Sequence, residues 1–295
     1  MPRLNILKTY KIYIGGQFPR TESGRFYEVF SPSNKLIANV CLSSRKDFRN
    51  SVAAASNAWL SWSGKTAYNR GQILYRIAEM LESRSPQFIE ELQTLGFSKT
   101  QAIKEVEQSV DKLVYYAGWA DKYQQIFSSI NPVASPFFNF SVLEPTGVIS
   151  VIAPEESPLL GLVSLISSII VGGNTCIVLA SEKLPLSAVS FAEVLHSSDV
   201  PGGVVNILTG KTKELLSHMC SHLEVKGICY ARKSYSEIKE IEELATLNVK
   251  RVVLFNQITD WSSETTNSPY TIKEFQETKT TWHPIENIGT SGNKY

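Results

Sequence analysis

At 295 residues, 43% of them hydrophobic, the chain is long enough for one sizeable core or two domains. Its 29 Lys and Arg nearly balance 28 Asp and Glu, so no global field draws nucleic acid or an anionic membrane, and neither is expected as a partner. The longest apolar run, Leu159 to Val171, is interrupted by serines and falls short of the roughly 20 residues that span a bilayer; with no export signal at the start, a soluble, cytoplasmic protein is expected.

In chain order, Ile12-Tyr13-Ile14, Gly15-Gly16 and Gln17-Phe18 predict a short strand with a glycine turn. Phe26 to Phe30 is its expected hairpin partner, turned at Ser23-Gly24, and Ser31-Pro32-Ser33-Asn34 is a further turn. Ser44 is an N-cap for a helix carrying Phe48, Val52, Ala55 and Trp59. The apolar spacing predicts further helices over Asn69 to Ser83, Pro86 to Leu95 and, as one long element, Gln101 to Gln125. A Pro- and Ser-rich connector, Ser128 to Pro136, precedes an alternating strand, Phe137 to Leu143.

The clearest pattern follows. Val148 to Ile152 is a β-branched run suited to a fully buried parallel strand, Leu159 to Ile170 is a helix apolar nearly all round, Gly172-Gly173-Asn174 ends it, and Cys176 to Leu179 is a second buried strand. This βαβ unit repeats: helix Pro185 to Leu195, strand Gly203 to Leu208, helix Lys213 to Cys220, strand Val225 to Tyr230, helix Tyr235 to Leu247, strand Arg251 to Phe255. Alternation of this kind predicts a doubly wound α/β domain with a parallel sheet covered on both faces. Thr259 to Pro269 is polar and turn-like, and Glu274 to Trp282 reads as one more strand, apart from the main sheet.

Cys41, Cys176, Cys220 and Cys229 lack a disulfide-framework spacing, and two lie in predicted interior strands, so reduced, structural thiols are expected. His218, Cys220 and His222 have ligand chemistry but point different ways on a helix end, and no metal is expected. Glu155 and Glu156 read as a solvated helix start, and Arg232 and Lys233 as a surface turn.

Several segments together resemble the aldehyde dehydrogenase family: the opening Ile12 to Pro32, Tyr116 to Lys122, Glu144-Pro145-Thr146-Gly147-Val148-Ile149, Gly173-Asn174-Thr175, Ser181 to Ala188, and Pro201 to Gly210. Their order and spacing, from about Tyr10 to Leu254, carry the resemblance. It implies a Rossmann-like domain binding NAD or NADP without a G-x-G-x-x-G loop, a separate domain bearing a cysteine nucleophile, and a small antiparallel oligomerisation ribbon. The cofactor-binding positions it implies are Ile152, Ala153, Pro154, Leu179, Ser181 and Glu182.

Position by position, the functional residues depart from the family. Glu156 stands where the family has its oxyanion-donating asparagine, and an ionised carboxylate cannot donate. Leu179 replaces the lysine that holds the adenosine ribose, whereas Glu182 matches the glutamate that accepts from it. Tyr230-Ala231-Arg232-Lys233 replaces the family's Phe-Thr-Gly-Ser turn, obstructing backbone approach to a pyrophosphate, and Phe255 replaces the general-base glutamate. After Trp261 there is no Gly-Gln-x-Cys motif, yet Tyr270 to Trp282 is similar to the family's C-terminal oligomerisation strand.

The expected division is therefore 1–126, the N-terminal hairpin and helices; 127–145, an oligomerisation strand; 146–262, the α/β part; and 263–295, a C-terminal oligomerisation strand and tail. No catalytic residue is assigned. The expected role is a non-catalytic structural or regulatory subunit, in a hetero-oligomer with a complete aldehyde dehydrogenase or a homo-oligomer, formed through Phe137–Leu143 and Glu274–Trp282. The alternatives are a sensor of NAD, NADP or ADP and a divergent NAD(P)-dependent oxidoreductase. Loss of a catalytic domain also predicts an apolar face left bare on the nucleotide-type domain.

Overall fold

The computed structural model describes residues 8–285. Strands β1 (Thr9–Tyr10), β2 (Phe26–Phe30) and β3 (Leu36–Cys41) form a small sheet in the order β1-β3-β2. This corrects the expected opening hairpin. Ser31 to Asn34 makes the reverse turn, with Asn34 at a φ of 59°, so Phe26–Phe30 pairs with Leu36–Cys41, a strand the sequence pattern did not mark. Tyr13 instead exchanges two backbone hydrogen bonds, of 2.9 and 2.8 Å, with Ile207 on the edge of the main sheet.

Helices α1 (Arg45–Ser63), α2 (Ala67–Ser83), α3 (Ser85–Thr94), α4 (Lys99–Trp119) and α5 (Tyr123–Phe127) follow. A capping box, Ser44 with Asp47, starts α1, and a second, Ser98 with Gln101, starts α4. The single helix expected over Gln101 to Gln125 is broken between α4 and α5. Beyond the break Tyr123 lies in the core, where it is 1% exposed.

After β4 (Ser129–Asn131) and β5 (Phe137–Pro145) comes the parallel part: β6 (Val148–Ile152), α6 (Leu160–Val171), β7 (Thr175–Leu179), α7 (Leu186–His196), β8 (Val205–Leu208), α8 (Thr212–Ser221), β9 (Val225–Tyr230), α9 (Tyr235–Thr246) and β10 (Arg251–Leu254). These five strands form one parallel sheet in the order β10-β9-β6-β7-β8. Strand alternation divides the core. Ile149, Val151, Cys176 and Val178 face α6, α7 and the helices α2 to α4 behind them, while Val148, Ile152, Ile177 and Leu179 face α1, α8 and α9.

Every residue of α6 is buried, which is why the sequence is apolar all round and why its ends need partners from elsewhere. At its C-terminal end, the Trp62 indole donates to Ile170 O at 2.9 Å and Arg70 Nε donates to Val171 O at 2.8 Å. At its N-terminal end the Glu105 carboxylate, from α4, accepts from the N–H groups of Leu159 and Leu160 and from the Ser157 hydroxyl. Burial raises the Glu105 pKa, opposed by these hydrogen bonds.

Between β10 and β11 (Gln276–Pro284) the chain holds a 3-10 turn, Glu264–Thr266, and one short α-helix, α10 (Tyr270–Lys273), and the connector runs along α4. Lys104 donates to the Ser262 hydroxyl, Gln108 to Ser262 O and Lys112 to Thr266 and Asn267, and Tyr116 hydrogen-bonds the Thr271 side chain. These four positions, one helical turn apart, form a single clamping stripe. Among the described residues from Phe255 to Pro269 no large apolar side chain is exposed, and Trp261 is 7% accessible.

A third, antiparallel sheet has the order β11-β5-β4, with Trp282 opposite Asn139 and Gln276 opposite Pro145. Its base is fixed to the α/β part where Asn174 Nδ2 donates to Phe275 O at 2.8 Å and Gln276 Nε2 donates to Gly172 O. Among the described residues no helix is long and apolar enough to cross a membrane.

Burial pulls the Lys112 ammonium down from 10.5 to about 8. Between those values the unfolded chain binds more protons than the folded one, so this lysine makes stability rise with pH across pH 8 to 10.5, while its penalty is fully present below pH 8. Urea unfolding at a series of pH values should show a steeper rise for the wild type than for Lys112→Met, by on the order of 1 kcal/mol or more over the window. Lys250, also pulled down to about 8, contributes equally to both proteins and cancels in the difference. Equal slopes would mean that Lys112 is not desolvated.

Candidate functional site

In the order β10-β9-β6-β7-β8 the chain first travels from β6 outward to β8, then crosses back to β9 on the other side. The crevice at the C-terminal ends of β6, β7 and β9 is thus the topological switch point, where open α/β sheets bind ligands. All six predicted cofactor positions converge on it. Ala153 N donates to Leu179 O at 3.0 Å and Ala231 N donates to Ile152 O at 3.1 Å, so the three strand ends are laced together. Ile152 and Leu179 are fully buried, Ala153, Pro154 and Ser181 are nearly so, and only Glu182 is partly accessible.

Two further side chains occupy the crevice. Arg232, at the end of β9, lies 2.6 Å from the Glu155 carboxylate, with their side chains 8% and 15% exposed. Arg232 Nε donates to Ala153 O at 2.8 Å, Nη2 donates to Ala180 O at 3.1 Å, and Nη1 also donates to the Thr212 hydroxyl. The guanidinium therefore bridges carbonyls at the ends of β6 and β7. Glu155 in turn accepts from the Ser181 hydroxyl at 2.8 Å, from Glu182 N at 3.1 Å and from Lys183 N at 3.2 Å. This overturns both bland sequence readings: Glu155 is not a solvated helix start and Arg232 is not a surface turn. The physical reason is mutual, since each supplies the opposite charge and the hydrogen bonds that make burial of the other tolerable. The signal legible in the sequence was opposite charges just beyond two buried strands, but only the sheet order makes those strands neighbours.

Glu182, the one family-matching residue, accepts from Thr212 N at 3.2 Å and so caps the start of α8. Beside it a groove of about 370 Å³ is lined by Glu155, Glu182, Lys183, Arg232, Lys233 and Glu237. The start of α9, which faces this groove, is already served: Ser234 accepts from Glu237 N, and the Tyr230 hydroxyl donates to the Glu237 carboxylate at 2.6 Å. Tyr27 packs near the same cluster, its pKa raised by burial first and then by the charges of Glu182 and Glu155.

On the other side of the crevice a cavity of about 350 Å³ lies against α4, walled by Lys104, Gln108, Glu156, Lys233, Asp260 and Trp261. Glu156 is exposed and makes no hydrogen bond or ion pair with the described residues. All four cysteines are buried. Burial pushes the Cys176 and Cys229 thiols well up and the Cys220 thiol up to about 12, far from the thiolate that nucleophilic attack requires. Cys220 packs in the core at the end of α8 rather than beside a second ligand, and no group of three or more metal-ligating side chains occurs among the described residues.

Replacing Arg232 by Met strands the Glu155 carboxylate in a largely dry site and should cost about 3 kcal/mol or more in urea unfolding. The double variant Glu155→Met, Arg232→Met should lose clearly less than the sum of the two singles. Strict additivity would show that the two side chains do not act as a unit.

Comparison with known proteins bears on this arrangement. The pattern describing the aldehyde dehydrogenase family matches residues 18–255. Mouse cytosolic 10-formyltetrahydrofolate dehydrogenase is 32% identical over 263 residues, 85% of this chain and 29% of that protein. Omega-crystallin of Enteroctopus dofleini is 30% identical over 254 residues, 84% of this chain and 50% of that protein. Among solved structures, an NAD+ complex of aldehyde dehydrogenase from Bacillus cereus aligns with a TM-score of 0.79 at 25% identity, covering 84% of this chain and 50% of that one. PnpE in complex with nicotinamide adenine dinucleotide aligns with a TM-score of 0.80 at 28% identity and the same coverage; that protein is from Pseudomonas sp. WBC-3. The chain thus spans about half the length, or less, of the relatives it matches. With the family pattern laid over most of its length and the parallel sheet that its relatives share, this chain belongs to the aldehyde dehydrogenase family.

Proposed function

We propose that the chain acts as a non-catalytic structural or regulatory subunit, joined to a complete aldehyde dehydrogenase or to a second copy of itself through the β11-β5-β4 sheet. The observation that carries this reading is the state of the thiols. The sequence holds four cysteines and each is buried, without the access that a nucleophile needs. Glu156, at the position of the oxyanion donor, offers only an acceptor, and Phe255 cannot serve as a base.

Two similar structures are NAD complexes by their own description, so a dinucleotide is the cofactor to test against these residues. They do not fit it. The floor of the crevice is filled by Arg232, paired with Glu155, and in the groove beside it the carboxylates of Glu182 and Glu237 stand beside Lys183 and Lys233, so a pyrophosphate would meet acid as well as base. That weighs against the sensor and oxidoreductase alternatives together.

Support for assembly comes from the small sheet. Both of its outer strands, β4 and β11, offer a backbone edge to a partner. Around them Ile130, Phe138, Trp282 and Ile285 are between 44% and 72% exposed, in a ribbon too small to be stable by itself and fastened to the α/β part only at its base.

Native mass spectrometry of tagged protein recovered from source cells should find it in stoichiometric complex with a full-length aldehyde dehydrogenase or with itself. The variant Phe138→Asp, Trp282→Asp should release it as a monomer whose thermal midpoint falls by no more than a few degrees. A monomeric wild type sinks the subunit reading, and so does NAD- or NADP-dependent aldehyde oxidation by the purified chain above a buffer control.

A further inference from the structure

The buried pair at the switch point is built as an anion site that already holds its anion. Its donors are the Ser181 hydroxyl, the N–H groups of Glu182 and Lys183, and the Arg232 guanidinium, and all four converge on the Glu155 carboxylate at 2.6 to 3.2 Å. Two successive backbone N–H groups, a hydroxyl and an arginine are the chemistry by which proteins hold phosphate or carboxylate groups from a ligand. Here the carboxylate comes from the chain itself. It stands at the crevice where an α/β sheet of this order takes its ligand.

We propose that Glu155 is an intramolecular substitute for a bound anion, so that the crevice is self-occupied and closed to dinucleotides, and that a latent phosphate- or carboxylate-binding site lies beneath it. Three features of the structure support the closure. Arg232 directs four of its five N–H groups inward, to Ala153 O, Ala180 O, the Thr212 hydroxyl and Glu155, and its side chain is only 8% exposed. Glu182, which would face a ribose, is engaged in capping α8. The groove outside the pair is lined by Glu182 and Glu237 as well as by Lys183 and Lys233, so an incoming polyphosphate meets acid beside base. A self-supplied anion has no translational entropy to lose on binding, and an external one must displace it against that advantage.

One consequence rests on the subunit reading above. In a mixed assembly with a complete family member, dinucleotide would bind to the complete chains alone.

The test has two arms on the isolated, full-length chain. Calorimetric titration of the wild type with NAD, NADP and ADP is expected to show no saturable heat; one-to-one binding of any of them overturns the closure. In the second arm Glu155→Ala vacates the anion position while leaving the four donors in place. Its thermal midpoint should rise by roughly 2 °C at tenfold excess over Kd of sodium formate or inorganic phosphate, relative to chloride at equal ionic strength. The wild type and Glu155→Ala, Arg232→Met should not respond. A Glu155→Ala protein that responds no more than the double variant overturns the latent site. Should Glu155→Ala not fold, Glu155→Gln, which keeps the shape and removes the charge, takes its place, and the expected response is then displacement of the amide by phosphate with the same dependence on Arg232. A wild type that binds dinucleotide refutes the closure and leaves the assembly reading standing, whereas a chain that never finds a partner refutes the assembly and leaves the closure standing.

Discussion

The structure depends on a helix that has no contact with water. Burying α6 entirely removes solvent as a partner for its terminal N–H and C=O groups, and the rest of the N-terminal half is arranged to replace it. Trp62 from α1 and Arg70 from α2 reach its C-terminal carbonyls, and Glu105 from α4 reaches its first N–H groups. The helical layer is therefore tied to the parallel sheet by obligatory polar contacts as well as by apolar area. The turn that follows α6 extends the same logic, since Asn174 and Gly172 receive the base of β11.

A related rule, that a buried charge needs a partner, explains the crevice. A sheet with a topological switch point must leave a gap at its strand ends, and a binding protein leaves it to a ligand. In this chain Arg232 and Glu155 enter from neighbouring strand ends and satisfy each other, the carbonyls of Ala153 and Ala180, and the N–H groups of the turn leading into α7. Removing a ligand from an open site leaves hydrated groups, whereas removing either member of this pair leaves a charge in a dry place. The gap has thereby become part of the core. Along α4 the connector does the same for another surface, with Lys104, Gln108, Lys112 and Tyr116 holding it one turn after another.

How much of this was legible in the sequence depends on the range of the forces involved. The βαβ repeats, the all-apolar α6, the buried strands and the capped start of α1 follow from local sequence signals, and the structure places each within a few residues of its expected position. The opening hairpin was misread because Leu36 to Cys41 is a short strand whose signal is no stronger than that of Ile12 to Phe18. Tyr13 was claimed by the edge of β8, which no local pattern reveals. At the site, the resemblance implied departures at Glu156, Leu179, Arg232 and Phe255, and no local pattern revealed that Arg232 pairs with Glu155.

The sequence by itself determined the alternation of strands and helices of a parallel α/β protein and the family to which it belongs, because those are properties of residue identity and spacing. Only the tertiary structure decided how the strand-end crevice is lined. Glu155 and Arg232 are far apart in the chain and each looks like a surface charge; sheet order brings β6 and β9 side by side, and only then are they neighbours. A pair interaction across a crossover has no signature in the local pattern of either partner, and its strength comes from burial that neither segment creates alone.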